Sequence, residues 1–576
     1  MTGERQTLPV HTTRTRIWRS WQARFALGCL LVIVLGAAWF AFRAWTVVTA
    51  VDAAQDQIGL AEQAYRDRDV ARGAEHVSLA RDELARARRA STDPVWTLVG
   101  ALPLVGDEVR AVGAVAGSAA ALLDAAEPLT TRVGDSGADP ATIRALAVDG
   151  SLAPGLADLY DAAQAAQGVA AAWNAEPLHP VVADKVVAFG DLVGQVEPLL
   201  GGAAAYAALL PALLGGSDQP QDLLVAVQTP SEVRSLGGLA GLMLQVRAEG
   251  GNLTVVDAYS GSTVPATATP VLDTPALREH YDLYGDRAGR YMINATTIPD
   301  TTLAGPLLAT FHERRTGQLP DAVVLLDLTV LSGLLTATGP VDLPDGSRVS
   351  ADTANDLFQF GVYTQIEDPT AQDVFFAAAA GAIFTALTSP DTDPIALGRA
   401  LAAAVQSDRL SVWSSADTTQ RLVQDAALDG DLLADPSTVG VFLNDGTGAK
   451  LQYFLDARVS GPTPDGTIAL ELTSRVPDPA SLPDYVAGQF DQIGVERGTQ
   501  RVQVAVYGAV GSGPTEWRVD GERTAIGSAS VDGRGVGVRS ADIAPGQTVR
   551  VEVDLADPPE GRDPPWSLTV TPGISR

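Results

Sequence analysis

The chain has 576 residues, a formal net charge of −29 and a pI near 4.4. That length allows several domains and ample core, and the acidity argues against nucleic acid or an anionic lipid surface as the main partner. The lone cysteine, Cys29, excludes an internal disulfide and a cysteine-rich zinc site.

Basic charge is almost all arginine, since Lys185 and Lys450 are the only lysines. With the Ala, Gly and Val richness this suggests a high-GC bacterial source, and a disulfide-free extracytoplasmic protein fits bacteria. Phe25–Phe42 is an uncharged apolar run, continued past Arg43 by Ala44–Ala50. A bilayer core takes roughly 20 such residues as helix, so one transmembrane signal-anchor is expected at 25–48. Arg14, Arg16, Arg19 and Arg24 precede it, while Asp52 and Asp56 follow. The positive-inside bias then makes 1–24 a cytoplasmic tail and sends the rest outward, with Trp18, Trp21 and Trp45 as interfacial anchors. Ala26-Leu27-Gly28-Cys29 resembles a lipoprotein box but stands at the start of the apolar run, so an uncleaved anchor is the reading.

Residues 49–216 read as an all-α stalk or bundle. Ile58, Ala61, Tyr65, Val70, Ala74, Val77, Leu84 and Ala87 recur mainly every three or four residues. Asp93-Pro94 and Asp139-Pro140 each offer an N-cap followed by proline at the first helical position. Further helices are expected at 111–127, 156–173, 181–200 and 203–214, divided by Gly, Pro and Asp.

Residues 217–430 read as an α/β sheet domain. Strands are expected at Leu223–Gln228, Met243–Val246 and Leu253–Val256, the last two joined at Gly250-Gly251. Asp321–Asp327 and Arg409–Trp413 read as strands, and 301–316, 329–338, 351–360, 372–387 and 395–405 as helices. Residues 431–576 show a period of two in short runs at 450–459, 467–476, 500–507, 536–540, 549–555 and 566–570, the pattern of a β-sandwich.

Between the first two strands lies a polar, glycine-marked excursion with Glu232, Arg234, Gly237, Gly238 and Gly241. Paired glycines let backbone N–H groups approach a partner, and Arg234 adds charge and donors. The ligand-binding candidates are Glu232, Arg234, Gly237, Gly238, Asn294 and Asp300. Equally, Glu232 and Arg234 form a pair that folds the crossover. Asn294, Asp300 and Asp327 stand at element ends, where both caps and binding residues gather. No catalytic residue is assigned. His11, His76, His179, His280 and His312 show no metal spacing, no GxSxG elbow occurs, and no cofactor or metal is expected. Asp445–Lys450 faintly resembles a phosphate loop but leads into strand, so it reads as a hairpin turn.

The segments 228–241, Asn294 to Asp300, and 321–346, with 101–112 and 444–459, resemble the bacterial domain of unknown function 4012 family. That resemblance implies a membrane-anchored, outward-facing protein. A fainter similarity is to the LytR-CpsA-Psr phosphotransferases, carried by 321–341. The helices that would hold their pyrophosphate-binding arginines correspond to 351–387, which has no arginine and contains Glu367, Asp368 and Asp373. Two functions are therefore carried forward. One is a non-catalytic envelope protein binding a cell-wall glycopolymer, polyprenyl lipid or partner protein. The other is a divergent phosphotransferase acting on polyprenyl-pyrophosphate-linked glycopolymers, with Arg234 on phosphate.

Overall fold

A computed structural model describes residues 14–67, 69–135, 140–216, 219–389, 392–488, 494–556 and 566–576, and among these the side chains from residue 24 onward except at 135, 140, 143, 394 and 395. Asp139, His11 and the side chains of Arg14, Arg16, Trp18, Arg19 and Trp21 lie outside the described set. The chain forms two compact units, one from residues up to 143 with 151–204, the other from 144–150 with 205–576.

The N-terminal region is helical: α1 (Arg14–Arg66), α2 (Val70–Ser91), α3 (Pro94–Gly100), α4 (Gly106–Asp135), α5 (Pro140–Val148), α6 (Ala153–Asn174) and α7 (Pro180–Leu213). Small residues at helical spacing let the backbones approach closely. Val47 and Ala50 of α1 meet Ala87 and Ala90 of α2, and Ala54 meets Ala80, Leu84 and Ala120. Arg81 ties α2 to α4 through Asp124 and Glu127, both at 2.8 Å. Asp93 caps α3 by accepting from the Val95 amide at 3.0 Å, with Pro94 at the first helical position. Among the described residues four helices are long and apolar enough to cross a membrane, starting at Arg24, Gly106, Pro180 and Pro369. The first is the most apolar, and none of its most apolar window is buried.

The apolar run lies within one uninterrupted 53-residue helix that continues into the region read as helical after it. One expectation changes here, because 181–200 with 203–214 form a single α7. Gly201-Gly202 does not break α7. A Cβ at Gly201 would lie 2.9 Å from the Tyr160 ring, so packing accounts for the glycine.

The second unit opens with β1 (Gln221–Thr229), β2 (Leu239–Glu249) and β3 (Asn252–Ser260). The two-residue turn between β2 and β3 has φ of +57° at Gly250 and +81° at Gly251, as a type I′ hairpin needs. There follow α8 (Pro275–Tyr284), the one-turn α9 (Arg287–Arg290), α10 (Thr301–Thr316), β4 (Ala322–Asp327) and α11 (Leu328–Thr338). A small ribbon, β5 (Val341–Asp342) and β6 (Arg348–Val349), leads to α12 (Ala351–Asp356), α13 (Val362–Gln365), α14 (Pro369–Leu387), α15 (Pro394–Gln406), β7 (Leu410–Ser414) and α16 (Asp417–Asp425).

The sheet order is β3-β2-β1-β4-β7, with β1 and β4 parallel and the other neighbours antiparallel. The central strands are buried on both faces, so they read as continuous apolar runs. Leu223, Val227 and Ala322 enter one core with Leu335, Phe358 and Ile383, whereas Leu224, Ala226, Val323 and Leu325 enter another with Leu277, Leu307 and Phe311. Helices therefore cover both faces.

The remaining chain is mostly strand: β8 (Thr438–Asp445), β9 (Leu455–Ser460), β10 (Thr467–Ser474), the one-turn α17 (Asp484–Ala487), β11 (Gln500–Val510), β12 (Pro514–Val519), β13 (Glu522–Arg523), β14 (Gly527–Val531), β15 (Arg534–Ile543), β16 (Thr548–Leu555) and β17 (Ser567–Val570). They form two five-stranded sheets, β13-β12-β16-β10-β9 and β14-β15-β11-β8-β17. Val441, Leu443, Val504 and Val506 from one sheet share a core with Leu470, Leu472, Val551 and Val553 from the other. The expected strand at 450–459 begins only at Leu455, because 451–454 forms a 3₁₀ turn.

Candidate functional site

The chain after β1 carries four charged or amide side chains to one buried point. Glu232 and Arg234 lie in the β1–β2 loop, Asn294 in a 3₁₀ stretch before α10, and Lys450 in the turn after β8. Arg234 Nη2 donates to Glu232 Oε1 at 2.7 Å and to Asn294 Oδ1 at 3.3 Å, and Nη1 donates to the Val233 carbonyl at 2.9 Å. Lys450 Nζ donates to Glu232 Oε2 at 2.5 Å, so one carboxylate bridges two cations. Asp445 stands 3.9 Å from Arg234 Nη1. Its oxygens are otherwise taken by Thr447, the Gly448 amide and Gln452. Glu232, Arg234, Asn294 and Lys450 are all less than a tenth exposed.

Burial pushes the Glu232 carboxyl up, but Lys450 and then Arg234 more than reverse this and hold it below the usual carboxylate range. Burial likewise pushes the Lys450 ammonium down, and the Glu232 carboxylate brings it above its ordinary value. Both partners therefore stay ionised, while burial raises the neighbouring Asp445 carboxyl against the pull of Arg234.

The same loop docks the α/β sheet onto the C-terminal strands. The Ser235 amide donates to Asn444 Oδ1 at 3.0 Å, the Asp445 amide to the Val233 carbonyl at 2.9 Å, and the Gln452 amide to the Ser231 carbonyl at 3.2 Å. The glycines serve this geometry. Gly237 has φ +116° and donates to the Arg234 carbonyl, while the Gly238 amide donates to Gln228 Oε1 at 3.3 Å. A Cβ on Gly238 would lie 2.5 Å from Thr229 backbone. These N–H groups are spent inside the protein.

Asp300 lies elsewhere. It caps α10 through the Thr302 amide at 2.7 Å and forms a bridge with Asp431. Burial, then the Asp431 charge, push its carboxyl up to about 6. Asp327 caps α11 through the Val330 amide at 2.9 Å and pairs with Arg409.

A cavity of about 110 Å³ opens beside Lys450. It sits at the carboxyl ends of β1, β3 and β4, the edge of an open α/β sheet where ligands bind, marked by Thr229, Ser260 and Leu328. The first turns of α14 supply Gln372, Asp373 and Phe376, and Tyr363 and Tyr485 complete the wall. Lys450 Nζ lies 5.8 and 5.7 Å from the Tyr363 and Tyr485 ring centres, a cation–π arrangement. Burial pushes the Tyr363 phenol up to about 12, and burial raises the Asp373 carboxyl against hydrogen bonding from Ser260. Tyr363 thus keeps its proton at neutral pH, and Asp373 adds carboxyl oxygens to the wall. Arg234 is not part of the cavity wall.

Sequence reasoning had put Glu232, Arg234 and Asn294 on the site list, and these three meet. It had not put forward Lys450, Tyr363, Gln372, Asp373 or Tyr485 as site residues. A signal for Lys450 was present, since it is one of two lysines in a chain that otherwise uses arginine. Among the described residues no group of three or more His, Cys, Asp or Glu side chains is arranged to hold a metal ion.

Helices in the N-terminal region and mixed α/β sheets after them, with a buried ion network beside a small polar cavity, define the class of protein. Residues 218–363 are similar to the family described as protein of unknown function (DUF4012), which bears out the resemblance read at 228–241, 294–300 and 321–346. That span includes Glu232, Arg234, Asn294 and Tyr363 but ends before Asp373 and Lys450. No curated protein and no solved structure matches the chain.

Proposed function

We propose that this is a single-span, outward-facing cell-envelope protein whose α/β domain binds one sugar ring of an envelope glycan, with no catalytic step. The observation that carries this is the cavity itself. Hydroxyls of Thr229, Ser260 and Ser262, the Gln372 amide, the Asp373 carboxyl and two tyrosine rings converge on a small space at the sheet's carboxyl edge. Aromatic faces with neutral and acidic hydrogen-bonding groups suit a polyol. The single-span reading is supported by the arginines before the apolar run at 25–42 and by the bare apolar surface after Arg24. The other three helices are less apolar and bury 11–22 % of their most apolar stretch, against none for the first. We read the two C-terminal sheets as a β-sandwich that holds Lys450 and Tyr485 against the cavity.

The competing transferase on polyprenyl-pyrophosphate-linked glycopolymers fits less well, by size and by charge. A cavity of about 110 Å³ is well below the roughly 300–1,000 Å³ of drug-sized sites, so it has no room for a polyprenyl tail. Its single cation is already held by Glu232, and Asp373 adds a carboxyl where a pyrophosphate would need several cationic donors.

Titration calorimetry on the full chain in nanodiscs tests this with cell-wall disaccharide fragments and polyprenyl phosphate in parallel. Saccharide binding that Asp373→Asn weakens by about tenfold is expected, the loss of one hydrogen bond to a charged group. Binding of the polyprenyl phosphate alone overturns the proposal.

A further inference from the structure

The segment between α2 and α4 places large apolar side chains in the open. Leu98 is 68 % exposed, Leu102 53 %, Leu104 95 % and Val105 47 %. Residues 94–106 carry no charge and are bounded by Asp93 and Asp107. Their backbone groups are largely satisfied within the turn. The Ala101 amide bonds Leu98 O at 3.3 Å, Leu102 bonds Val99 O at 3.0 Å, Gly106 bonds Leu102 O at 3.0 Å, and Arg110 caps the Gly100 carbonyl at 2.7 Å. Leu104 has φ +81°, a conformation that costs a leucine and costs a glycine nothing. A leucine both strained and uncovered is a poor choice for a turn facing water.

The position of this turn along α1 identifies what covers it. Trp96 packs on Phe40 with ring centres 5.3 Å apart. Asp93 accepts from Trp39 Nε1 at 3.2 Å and pairs with Arg43 at 2.8 Å. The turn is therefore pinned at the level of Trp39–Arg43, where the uncharged run 25–42 ends, and its apolar residues continue the bare apolar surface of α1. Trp39, Trp45 and the Arg43–Asp93 pair form the mixed aromatic and charged belt found at a bilayer interface.

We propose that residues 95–105 form a second membrane contact, a re-entrant turn whose Leu98, Leu102, Leu104 and Val105 lie in the acyl region of the leaflet where α1 exits. This rests on the reading of α1 as a membrane span. The turn braces the first helical unit against the bilayer and fixes how α1 and α2 stand on it. Most of its backbone polar groups are bonded within the turn, in keeping with the requirement that non-helical chain at membrane depth keeps its polar groups paired.

The test uses the full chain in nanodiscs carrying one cysteine at a time, labelled with an environment-sensitive fluorophore. The cysteine is native Cys29, or Leu104→Cys or Gln63→Cys in a Cys29→Ser background. Gln63 is exposed and lies 21 residues past Phe42, roughly 30 Å further along the helix. Nitroxide-bearing phospholipids are expected to quench the labels at 29 and 104 severalfold more than the label at 63, with blue-shifted emission at both. Quenching at 29 while 104 behaves like 63 overturns the turn and leaves the anchor standing. No quenching at 29 overturns the anchor and the turn with it. A label at 104 that is blue-shifted but unquenched, with dimers cross-linked through it, means that a second copy covers the face, and this also overturns the proposal.

Discussion

The Glu232–Lys450 contact joins residues 218 positions apart, and it makes a strong prediction because both partners are almost fully buried. At an effective dielectric of about 20, unit charges about 3 Å apart attract by roughly 5–6 kcal/mol. Most of that offsets desolvation, so the pair's net worth is small while the cost of breaking it is large. Glu232→Gln leaves Lys450 buried without an anion and Arg234 with only the Val233 carbonyl, Asn294 and the more distant Asp445. The expected loss is about 3–5 kcal/mol. Lys450→Met leaves Glu232 still paired to Arg234, so about 2–3 kcal/mol is expected. The double variant removes both ends of the contact and should cost less than the sum by about 2–3 kcal/mol. Hydrogen-exchange mass spectrometry in increasing urea, read on peptides covering 223–229 and 439–445, measures both strands that the pair ties together. Additive single losses, or a loss under about 1 kcal/mol for Glu232→Gln, would refute the reasoning and place the pair in effective contact with solvent.

Three further outcomes follow from buried groups in the second unit. Asp300, with its carboxyl pushed up to about 6, destabilises the fold once ionised; that penalty is absent below about pH 4 and complete above about pH 6. Asp300→Asn keeps a capping oxygen and should raise stability by about 1–3 kcal/mol at pH 7.5 and hardly at all at pH 4, measured by urea titration at both values. His280 is buried against Tyr284 and Tyr507 with its Nδ1 unpaired, and burial pulls its imidazolium down to about 4. Stability should therefore fall between pH 6.5 and 4 as the unfolded chain takes up the proton first, by up to about 3 kcal/mol; in His280→Phe that slope should disappear from the titration. Gly238→Ala forces a methyl to within 2.5 Å of Thr229 backbone. It should cost about 3 kcal/mol and release amide protection in β1 and β8 together, whereas an unchanged exchange pattern would mean that the loop yields.

Much of the sheet was legible because its strands obey local rules. Leu223–Gln228 and Asp321–Asp327 are short apolar runs flanked by Pro, Gly and Asp, the signature of strands buried on both faces. Gly250-Gly251 supplies the two positive φ values its turn needs. What escaped did so for physical reasons. β8 is buried at every position but its last, so it has no alternation to read. β14, Gly527–Val531, is a glycine- and serine-rich edge strand formed by pairing with β15, a partner that local sequence does not reveal. Gly201-Gly202 has the composition of a helix break and sits mid-helix, because the neighbouring Tyr160 ring needs the space.

The site divides along the same line. Glu232 and Arg234 are two residues apart and meet through a local turn, so their pairing was readable. Lys450 reaches them only because β8 runs into the β1–β2 loop, a juxtaposition that spacing cannot encode. Yet the residue type carried information. A guanidinium spreads its donors across a planar fork, whereas an ammonium is a compact charge. Beside Lys450 there is one free carboxylate oxygen, Glu232 Oε2, with Tyr363 and Tyr485 rings on the other sides. That space suits a point charge seated between one carboxylate oxygen and two ring faces. In a chain with only two lysines among its 40 basic residues, a lysine kept inside the protein marks a place where arginine's geometry does not fit, and here that place is the wall of the cavity.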